Sequence, residues 1–439
     1  MRRLLMVSPH FPPDSTAGTH RVRLLAPHLP AHGWEPTVLT CEPGAYEGQL
    51  DPDLPALLHS AVRVVRVPAM SVSLTRRFGV GDLGLRSLPG LYRTASRLLR
   101  TEHFDALFIT IFPAYTALLG PLLVRRFGIP FVLDYQDPWV SAWGVEVGGG
   151  TGGRPDWKSR VSRFLAERLE PLVVRSASAI TAVSAGTYEP ILRRNPRITP
   201  ILATIPIGGE PRDFSNQPAS GATPMPFDPD DGNVHVCSTG TILPLGVETL
   251  KAVLAAVALV RDRRPDVYRR VRLHFFGTSN QTVHTDEMRV APLARQLGVD
   301  DIVQELAMRL PYSQAVRVQQ QATILLAMGS SEPHYTASKI FPLLMAARPL
   351  LAVYHEASSV VGVIARASRP RTVKLVTYSD AERADSKSEM IFNHLVALAE
   401  QPTTPRATVD TTALHEYFAE TLAGRLADVL NQAAERPAA

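Results

Sequence analysis

A short continuous run of apolar residues at positions 4–7 opens the chain and is typical of a strand buried on both faces of a parallel sheet. A loop rich in proline and small residues follows at 8–19, and residues 20–32 then carry apolar side chains at helical spacing. The next strand is predicted at 37–40. This order predicts a right-handed crossover of the doubly wound class.

The same alternation of strands and helices continues through two stretches of the chain, which are separated by a segment of different composition. In the first stretch we predict strands at 62–67, 106–110, 131–134 and 179–183, and helices at 88–100, 115–127 and 157–177. In the second we predict strands at 234–238, 271–276, 302–306, 323–327 and 350–354, and helices at 246–263, 291–297, 338–347, a segment ending at 400, and 411–433. Between them, residues 206–232 are dense in Pro, Gly, Asp and Ser, which predicts a linker.

Strands that alternate with helices imply parallel sheets. We therefore predict an α/β protein with two Rossmann-like, doubly wound domains at residues 1–205 and 233–405, joined by the linker 206–232. Residues 406–439 form a closing helix and tail that we expect to return to the N-terminal domain. Ligands of such sheets bind beyond the carboxyl ends of the strands, so we expect the chemistry in a cleft between two facing domains.

Composition narrows the class of protein. The 439 residues are 45% hydrophobic and 20% charged, which excludes a disordered or fibrous chain. Two cysteines exclude a disulfide framework and a four-cysteine zinc site. The chain has no apolar run of membrane-spanning length, and its start is too short for a signal peptide, so we expect a cytoplasmic protein.

The net charge of +5 fits a polyanionic small ligand, an anionic membrane surface or a nucleic acid, and does not choose among them. Without a zinc finger, an RNA-binding aromatic pair or a long basic run, nucleic acid is disfavoured. The histidines show no metal-ligand spacing, and we expect no metal site. Residues 158–168 form a basic amphipathic helix, which is either a solvated face or a contact with an anionic membrane.

Two candidate sites follow strands of the first half. In the loop after the first strand, small residues including Ala17 and Gly18 let the backbone approach a ligand, and the helix start offers free N–H groups to an anion. A tight turn without a ligand is the alternative. Asp137 follows the strand at 131–134 and precedes Pro138, where its carboxylate either faces the cleft or caps a turn.

Two more candidate sites follow strands of the second half. Thr336 and Ser338 stand where a helix is predicted to begin, with Lys339 beside them and Glu332 and His334 just before. Backbone donors and a lysine at such a helix start form a phosphate seat that needs no metal. An ordinary capped helix with a solvated lysine is the alternative. Gly240 and Thr241 form a small-residue turn, a weaker signal of the same kind.

Several of these segments together resemble the GT-B glycosyltransferases, in the glycogen-synthase-like (family 4 type) branch that builds bacterial polysaccharides and glycolipids. The opening loop 8–13 with Ala17 and Gly18, the segment Asp-Tyr-Gln-Asp-Pro-Trp at 134–139 and the hinge entry at 205–210 are similar to segments of that family. The most specific match is Ser-Lys-Ile-Phe-Pro at 338–342, because the family has Ser-Lys-Ile-Phe-Glu there. The resemblance spans nearly the whole chain.

Two departures from the family pattern concern the donor site. The family usually has two glutamates eight positions apart, the second of which holds the donor ribose, and here those places are His334 and Pro342. The basic residue that the family brings from the first loop of the second domain is missing from residues 240–246. Lys339 and Arg309 are expected to cover that charge.

The resemblance implies a metal-independent, retaining hexosyltransferase without a cofactor. It would move a sugar from a nucleotide diphosphate sugar, of UDP or GDP type, to a hydroxyl of a polysaccharide, glycolipid or small molecule. Asp137, His334 and Glu332 are the catalytic candidates, and the donor-binding candidates are Ala17, Gly18, Gly240, Thr241, Arg309, Thr336, Ser338 and Lys339. Three alternatives remain: a nucleotide-sugar epimerase, a pseudo-glycosyltransferase and a non-catalytic scaffold subunit, which Pro342 favours.

Overall fold

Two parallel β-sheets organise the chain, one in each of two units of the computed structural model. Unit 1 comprises Met1–Ile207 and Ala419–Ala439, and unit 2 comprises Gly208–Phe418. The structure describes residues 1–58, 62–140, 157–215, 224–279, 288–330, 338–367, 372–401 and 410–436. Among these residues no helix is long and apolar enough to cross a membrane.

The described strands of unit 1 form a sheet in the order β3-β2-β1-β4-β5-β6-β7, with neighbours parallel. These strands are β1 (Arg2–Val7), β2 (Trp34–Cys41), β3 (Arg63–Val67), β4 (Ala106–Thr110), β5 (Phe131–Tyr135), β6 (Ala179–Ala182) and β7 (Ile201–Thr204). The strand order reverses between β1 and β4. In doubly wound sheets the crevice at this point binds ligands.

Helices cover the sheet of unit 1. They are α1 (Thr19–Leu25), α2 (Val72–Thr75), α3 (Leu83–Thr101), α4 (Leu119–Phe127), α5 (Trp157–Val174) and α6 (Ala185–Arg194). Alternate residues of β1 show why its apolar run is continuous: Leu5 joins the core on one face and Leu4 the core on the other. A strand covered on both faces needs apolar side chains at every position.

Unit 2 repeats this architecture with a sheet in the order β10-β9-β8-β11-β12-β13. Its described strands are β8 (Val234–Thr239), β9 (Val271–Phe276), β10 (Val303–Leu306), β11 (Ile324–Met328), β12 (Leu350–His355) and β13 (Val373–Tyr378). Its helices are α7 (Arg212–Ser215), α8 (Val247–Arg263), α9 (Pro265–Tyr268), α10 (Ala291–Leu297), α11 (Tyr312–Gln321), α12 (Ile340–Met345), α13 (Ser359–Ala367), α14 (Ser388–Ala399) and α15 (Thr411–Leu414). The order reverses between β8 and β11, the position at which doubly wound sheets bind ligands.

The predicted closing helix is interrupted. In place of one helix over 411–433, α15 is followed by a 3₁₀ turn, an extended Phe418 and α16 (Ala419–Glu435). Leu414 packs in a core of unit 2, whereas Leu422 and Leu426 pack in a core of unit 1. The break is therefore where the chain leaves unit 2, and the expectation that the C-terminal helix returns to the N-terminal domain is confirmed.

Candidate functional site

The loops that follow β8, β9 and β10 meet at the carboxyl edge of the unit 2 sheet. A Cβ atom added to Gly277 would lie 3.5 Å from Cα of Arg309 and 3.8 Å from the backbone nitrogen of Gly240. Gly240 and Gly277 have φ angles of 106° and 74°, which favour glycine. The structure thus brings together Gly240, Thr241 and Arg309, three of the predicted donor-binding residues.

Lys339 joins this edge. Its Cδ lies 3.7 Å from the position of a Cβ on Gly240, and with Thr241, Ile242 and Ser330 it lines a shallow depression. Burial lowers the pKa of Lys339 to about 8. Within the described residues no carboxylate lies at ion-pair distance from its ammonium group. A partly buried cation without a counter-ion is suited to bind an anion.

The helix near Lys339 begins later than predicted. It was expected from Ser338, but α12 starts at Ile340, so Lys339 is the residue before the helix. Ser338 is partly exposed next to Lys339. The candidates Glu332, His334 and Thr336 lie outside the described residues, and their roles stay predictions.

A larger cavity of about 400 Å³ lies elsewhere in unit 2. Its lining residues are Pro211, Phe214, Ser215, Gln320, Gln321, Met345, Ala346, Ala347 and Arg348. It contains none of the predicted site residues. The candidate donor site is therefore the depression beside Lys339, at the crevice where doubly wound sheets bind ligands.

In unit 1, the loop after β1 is organised around Asp14, a residue that the sequence analysis did not select. Its buried carboxylate is hydrogen-bonded to His10 Nδ1 at 2.8 Å and to the hydroxyl of Thr19 at 2.8 Å, and it also accepts from the hydroxyl of Thr16. Burial acts to raise the pKa of Asp14, but these bonds and the charge of His10 outweigh it and hold the pKa below its usual value. All three bonds are made by Oδ2, and through them Asp14 shapes the loop.

Gly18 serves close packing. A Cβ on Gly18 would lie 2.1 Å from Cδ1 of Phe112, the side chain that follows β4. Ala17, its neighbour in the loop, is exposed. The packing of Phe112 alone accounts for glycine at position 18, and a ligand contact of either residue remains a prediction.

The two aspartates of the segment at 134–139 have different environments. Asp134 is fully buried, and its oxygens accept from Arg21 at 2.9 and 2.5 Å and from the hydroxyl of Thr181 at 2.6 Å. Asp137 is exposed at the end of β5, and no described residue forms a hydrogen bond or ion pair with it. The surrounding protein removes part of its hydration and raises the pKa of Asp137. Asp137 is the carboxylate that is available to a ligand.

Three further features of unit 1 are an unpaired amide, a pair of aromatic rings and a second carboxylate with a raised pKa. The side-chain Nε2 of the buried Gln136 has no hydrogen-bond partner among the described residues. The rings of Tyr115 and Trp139 meet edge to face with centroids 5.8 Å apart. Burial also raises the pKa of Asp82, which accepts from the backbone N–H of Leu85 at the start of α3. Tyr and Trp side chains combine an apolar ring with a polar tip and are suited to contact a ligand.

Among the described residues, no group of three or more His, Cys, Asp or Glu side chains is arranged to hold a metal ion. The charged groups with shifted pKa values at the two candidate sites are Lys339 in unit 2, whose pKa is lowered, and Asp137 in unit 1, whose pKa is raised.

Comparison with known proteins gives one family match. Residues 16–208 match the family model of the glycosyl transferase 4-like domain. No curated protein sequence matches the chain.

Solved structures share the fold of the whole chain. Sucrose-phosphate synthase from Thermosynechococcus elongatus superposes with a TM-score of 0.62 at 15% identity, over 98% of this chain and 99% of that one. Anabaena Alr3699/HepE in complex with UDP and glucose gives 0.58 at 14% identity, over 98% and 100%. An α,α-trehalose-phosphate synthase (UDP-forming) from Burkholderia vietnamiensis gives 0.61 at 11% identity, over 99% of both chains.

These matches agree with the two doubly wound sheets and with the motifs of the sequence. At such low identity the solved structures establish the fold, and the family model identifies the N-terminal half. Residues 16–208 are similar to the glycosyl transferase 4-like domain, and the whole chain has the fold of the GT-B glycosyltransferases.

Proposed function

We propose that the protein transfers a sugar from a nucleotide diphosphate sugar, of UDP or GDP type, to a hydroxyl acceptor. The observation that carries the proposal is Lys339, a partly buried cation beside Gly240 without a carboxylate partner in the described residues. The HepE structure, which shares the fold, is a complex with UDP and glucose. The donor would place its diphosphate against Lys339.

The reaction needs stabilisation of a departing diphosphate more than covalent help from the protein. In glycosyl transfer, negative charge grows on the leaving oxygen as the anomeric carbon becomes oxocarbenium-like, and a positioned cation favours that state over the ground state. Lys339 can supply the charge without a metal ion. Retention of the anomeric configuration is the outcome that the family resemblance implies, and we propose it on that ground.

Asp137 is proposed to orient or deprotonate the acceptor hydroxyl. A raised pKa makes a carboxylate a stronger base, provided that it remains ionised at the working pH. The rings of Tyr115 and Trp139 would pack against an apolar face of the acceptor's sugar ring. We infer that the acceptor is a carbohydrate or carries one.

A transfer assay tests this function. The purified protein is incubated with UDP- and GDP-sugars and with glycan and glycolipid acceptors, and released nucleoside diphosphate and glycosylated product are measured. We expect product that depends on both substrates, with Asp137→Asn lowering kcat at least about 100-fold while donor affinity changes little. If the donor is isomerised in the absence of an acceptor, the protein is a nucleotide-sugar epimerase. If it binds the donor tightly but shows no turnover, it is a non-catalytic scaffold.

Contact with an anionic membrane is a further part of the proposal. On α5, Val161, Phe164 and Leu165 are exposed beside the exposed cations Arg160 and Arg168. Exposed apolar and basic residues on one helix favour the interface of an anionic bilayer.

A vesicle assay tests the membrane contact. Wild type is expected to sediment with phosphatidylglycerol vesicles and not with phosphatidylcholine vesicles, and replacing Arg160, Arg163 and Arg168 by Glu should abolish binding. A charge-matched control replaces the exposed Arg269, Arg270 and Arg295 of unit 2 by Glu and should keep binding. Equal behaviour of the two triple variants would exclude α5 as the contact.

A further inference from the structure

Arg289 is held at two points in unit 2. Its backbone nitrogen, just before α10, donates to Oε1 of Glu305 at 2.9 Å. Its guanidinium reaches across to the loop after β8 and donates from Nη1 to the carbonyl oxygen of Ile242. The side chain is partly buried, and the two anchors fix where its charge lies.

Glu305 does not form an ion pair with the guanidinium of Arg289. Glu305 is buried and accepts from the backbone N–H groups of Arg289, Val290 and Ala291 and from the hydroxyl of Thr278. No carboxylate of the described residues lies at ion-pair distance from the guanidinium of Arg289. The hydrogen bond to Ile242 uses one N–H, and among the described residues no carboxylate compensates the charge.

Two cations that have no carboxylate partner in the described part of the chain therefore border one loop. Ile242 and Lys339 line the same depression, and Arg289 bonds to Ile242. Residues 240–246 themselves carry no basic side chain. Two positive charges with reduced solvation, held around a glycine-containing loop, create a potential that favours a ligand with more than one negative charge.

We propose that Arg289 supplies the second positive charge of the donor site, in place of the basic residue that the loop 240–246 lacks, and that it makes the site select nucleoside diphosphates over monophosphates. The inference rests on the proposed function, since it assigns a further residue to the same donor site. It differs from the expectation in the sequence, which gave this charge to Lys339 and Arg309 alone.

Variants of Arg289 can separate the effect of its positive charge from the effect of its hydrogen bond to the loop. Arg289→Gln keeps an amide that can donate to the Ile242 carbonyl but removes the charge, whereas Arg289→Lys keeps the charge. Arg295→Gln, on the exposed face of α10, is the matched control for a lost positive charge away from the loop. Melting temperatures of all three variants report whether the unit is intact.

The experiment is calorimetric titration of the full-length protein with UDP and GDP, and with UMP and GMP, at low and high salt. For the diphosphate that binds, Arg289→Gln should lower affinity about tenfold or more and flatten its salt dependence, with under about threefold loss for the monophosphate. The diphosphate affinity of Arg289→Lys should stay within about threefold of the wild-type affinity. The affinity of Arg295→Gln should equal that of wild type.

Diphosphate affinity that Arg289→Gln leaves unchanged would overturn this inference while the proposed function stands. Equal losses for diphosphate and monophosphate would also overturn it, because that pattern indicates damage to the loop rather than loss of charge. A wild-type protein that binds none of the four nucleotides would contradict the proposed function itself.

Discussion

Arg21 and Asp134 form a fully buried ion pair that joins α1 to the end of β5. Nε and Nη2 of Arg21 donate to the two carboxylate oxygens at 2.9 and 2.5 Å, and Nη1 donates to the carbonyl of Ile205 at 2.6 Å. The pair thereby ties the helix after β1 to the chain that leaves β7. The two aspartates of this segment therefore have different roles. Asp134 fixes the carboxyl edge of the unit 1 sheet, whereas Asp137 remains exposed at that edge.

Replacement of Arg21 by Met should destabilise unit 1 by about 3–5 kcal/mol, because the buried carboxylate of Asp134 loses its charge partner. Urea unfolding measures the change. The control is Arg163→Ala, which removes an exposed pair with Glu167 and should cost less than about 0.5 kcal/mol. A cost below about 1 kcal/mol for Arg21→Met would contradict the account of this pair.

Gly18→Ala should lower stability by about 1–3 kcal/mol, since the new methyl group overlaps the ring of Phe112. Thermal and urea unfolding measure the loss. Phe112→Leu gives the new methyl group room. In the Phe112→Leu background, Gly18→Ala should therefore cost much less stability than it does in wild type. If both backgrounds lose the same stability, Phe112 is not the reason for glycine at this position.

Ala347 follows α12 in a left-handed conformation with φ of 53°, where glycine is favoured. Ala347→Gly should therefore stabilise unit 2 by about 0.5–1 kcal/mol. This is the net result of two effects: glycine removes the cost of the left-handed backbone in the folded state, but it also increases the conformational entropy of the unfolded chain. Ala346→Gly, at a right-handed position one residue earlier, should instead destabilise it. A loss of stability in both variants would argue against strain at Ala347.

Nucleotide affinity should depend on pH through Lys339. Its pKa of about 8 means that the ammonium is charged below pH 8 and loses its proton as the pH rises above it. Diphosphates are fully ionised in this range, so affinity should fall between pH 7.5 and 9.5. Lys339→Arg keeps its charge and should bind with little pH dependence. An equally flat profile in wild type would show that Lys339 does not contact the diphosphate.

The apolar runs predicted the central strands because those strands are covered on both faces. The edge strands β7 and β13 were not predicted. In β7 the side chains alternate between partly and largely exposed, and β13 carries Lys374 and Thr377 among its apolar residues, so neither has the continuous apolar run of a central strand. The break at Phe418 was missed for a related reason, since apolar spacing does not show that a helix changes partner.

Site residues could be predicted where they directly follow predicted strands, as Gly240 and Asp137 do. Pairings between distant parts of the chain were beyond sequence reasoning. Arg21 and Asp134 are 113 positions apart and Arg289 and Ile242 are 47 apart, and neither pairing leaves a local pattern. Asp14 is different, because its partners His10, Thr16 and Thr19 are near neighbours. A polar cluster directly after β1 was a signal that could have been used.

The central proposal is a nucleotide diphosphate site at Lys339. The direct test is a thermal-shift panel of wild type and Lys339→Ala with UDP, GDP, ADP and TDP and their sugar conjugates. A ligand at 100 times its dissociation constant adds roughly 2.7 kcal/mol, or several degrees. We predict a selective rise with one base, lost in Lys339→Ala. No shift with any nucleotide at millimolar concentration would contradict the donor site and favour a non-catalytic scaffold.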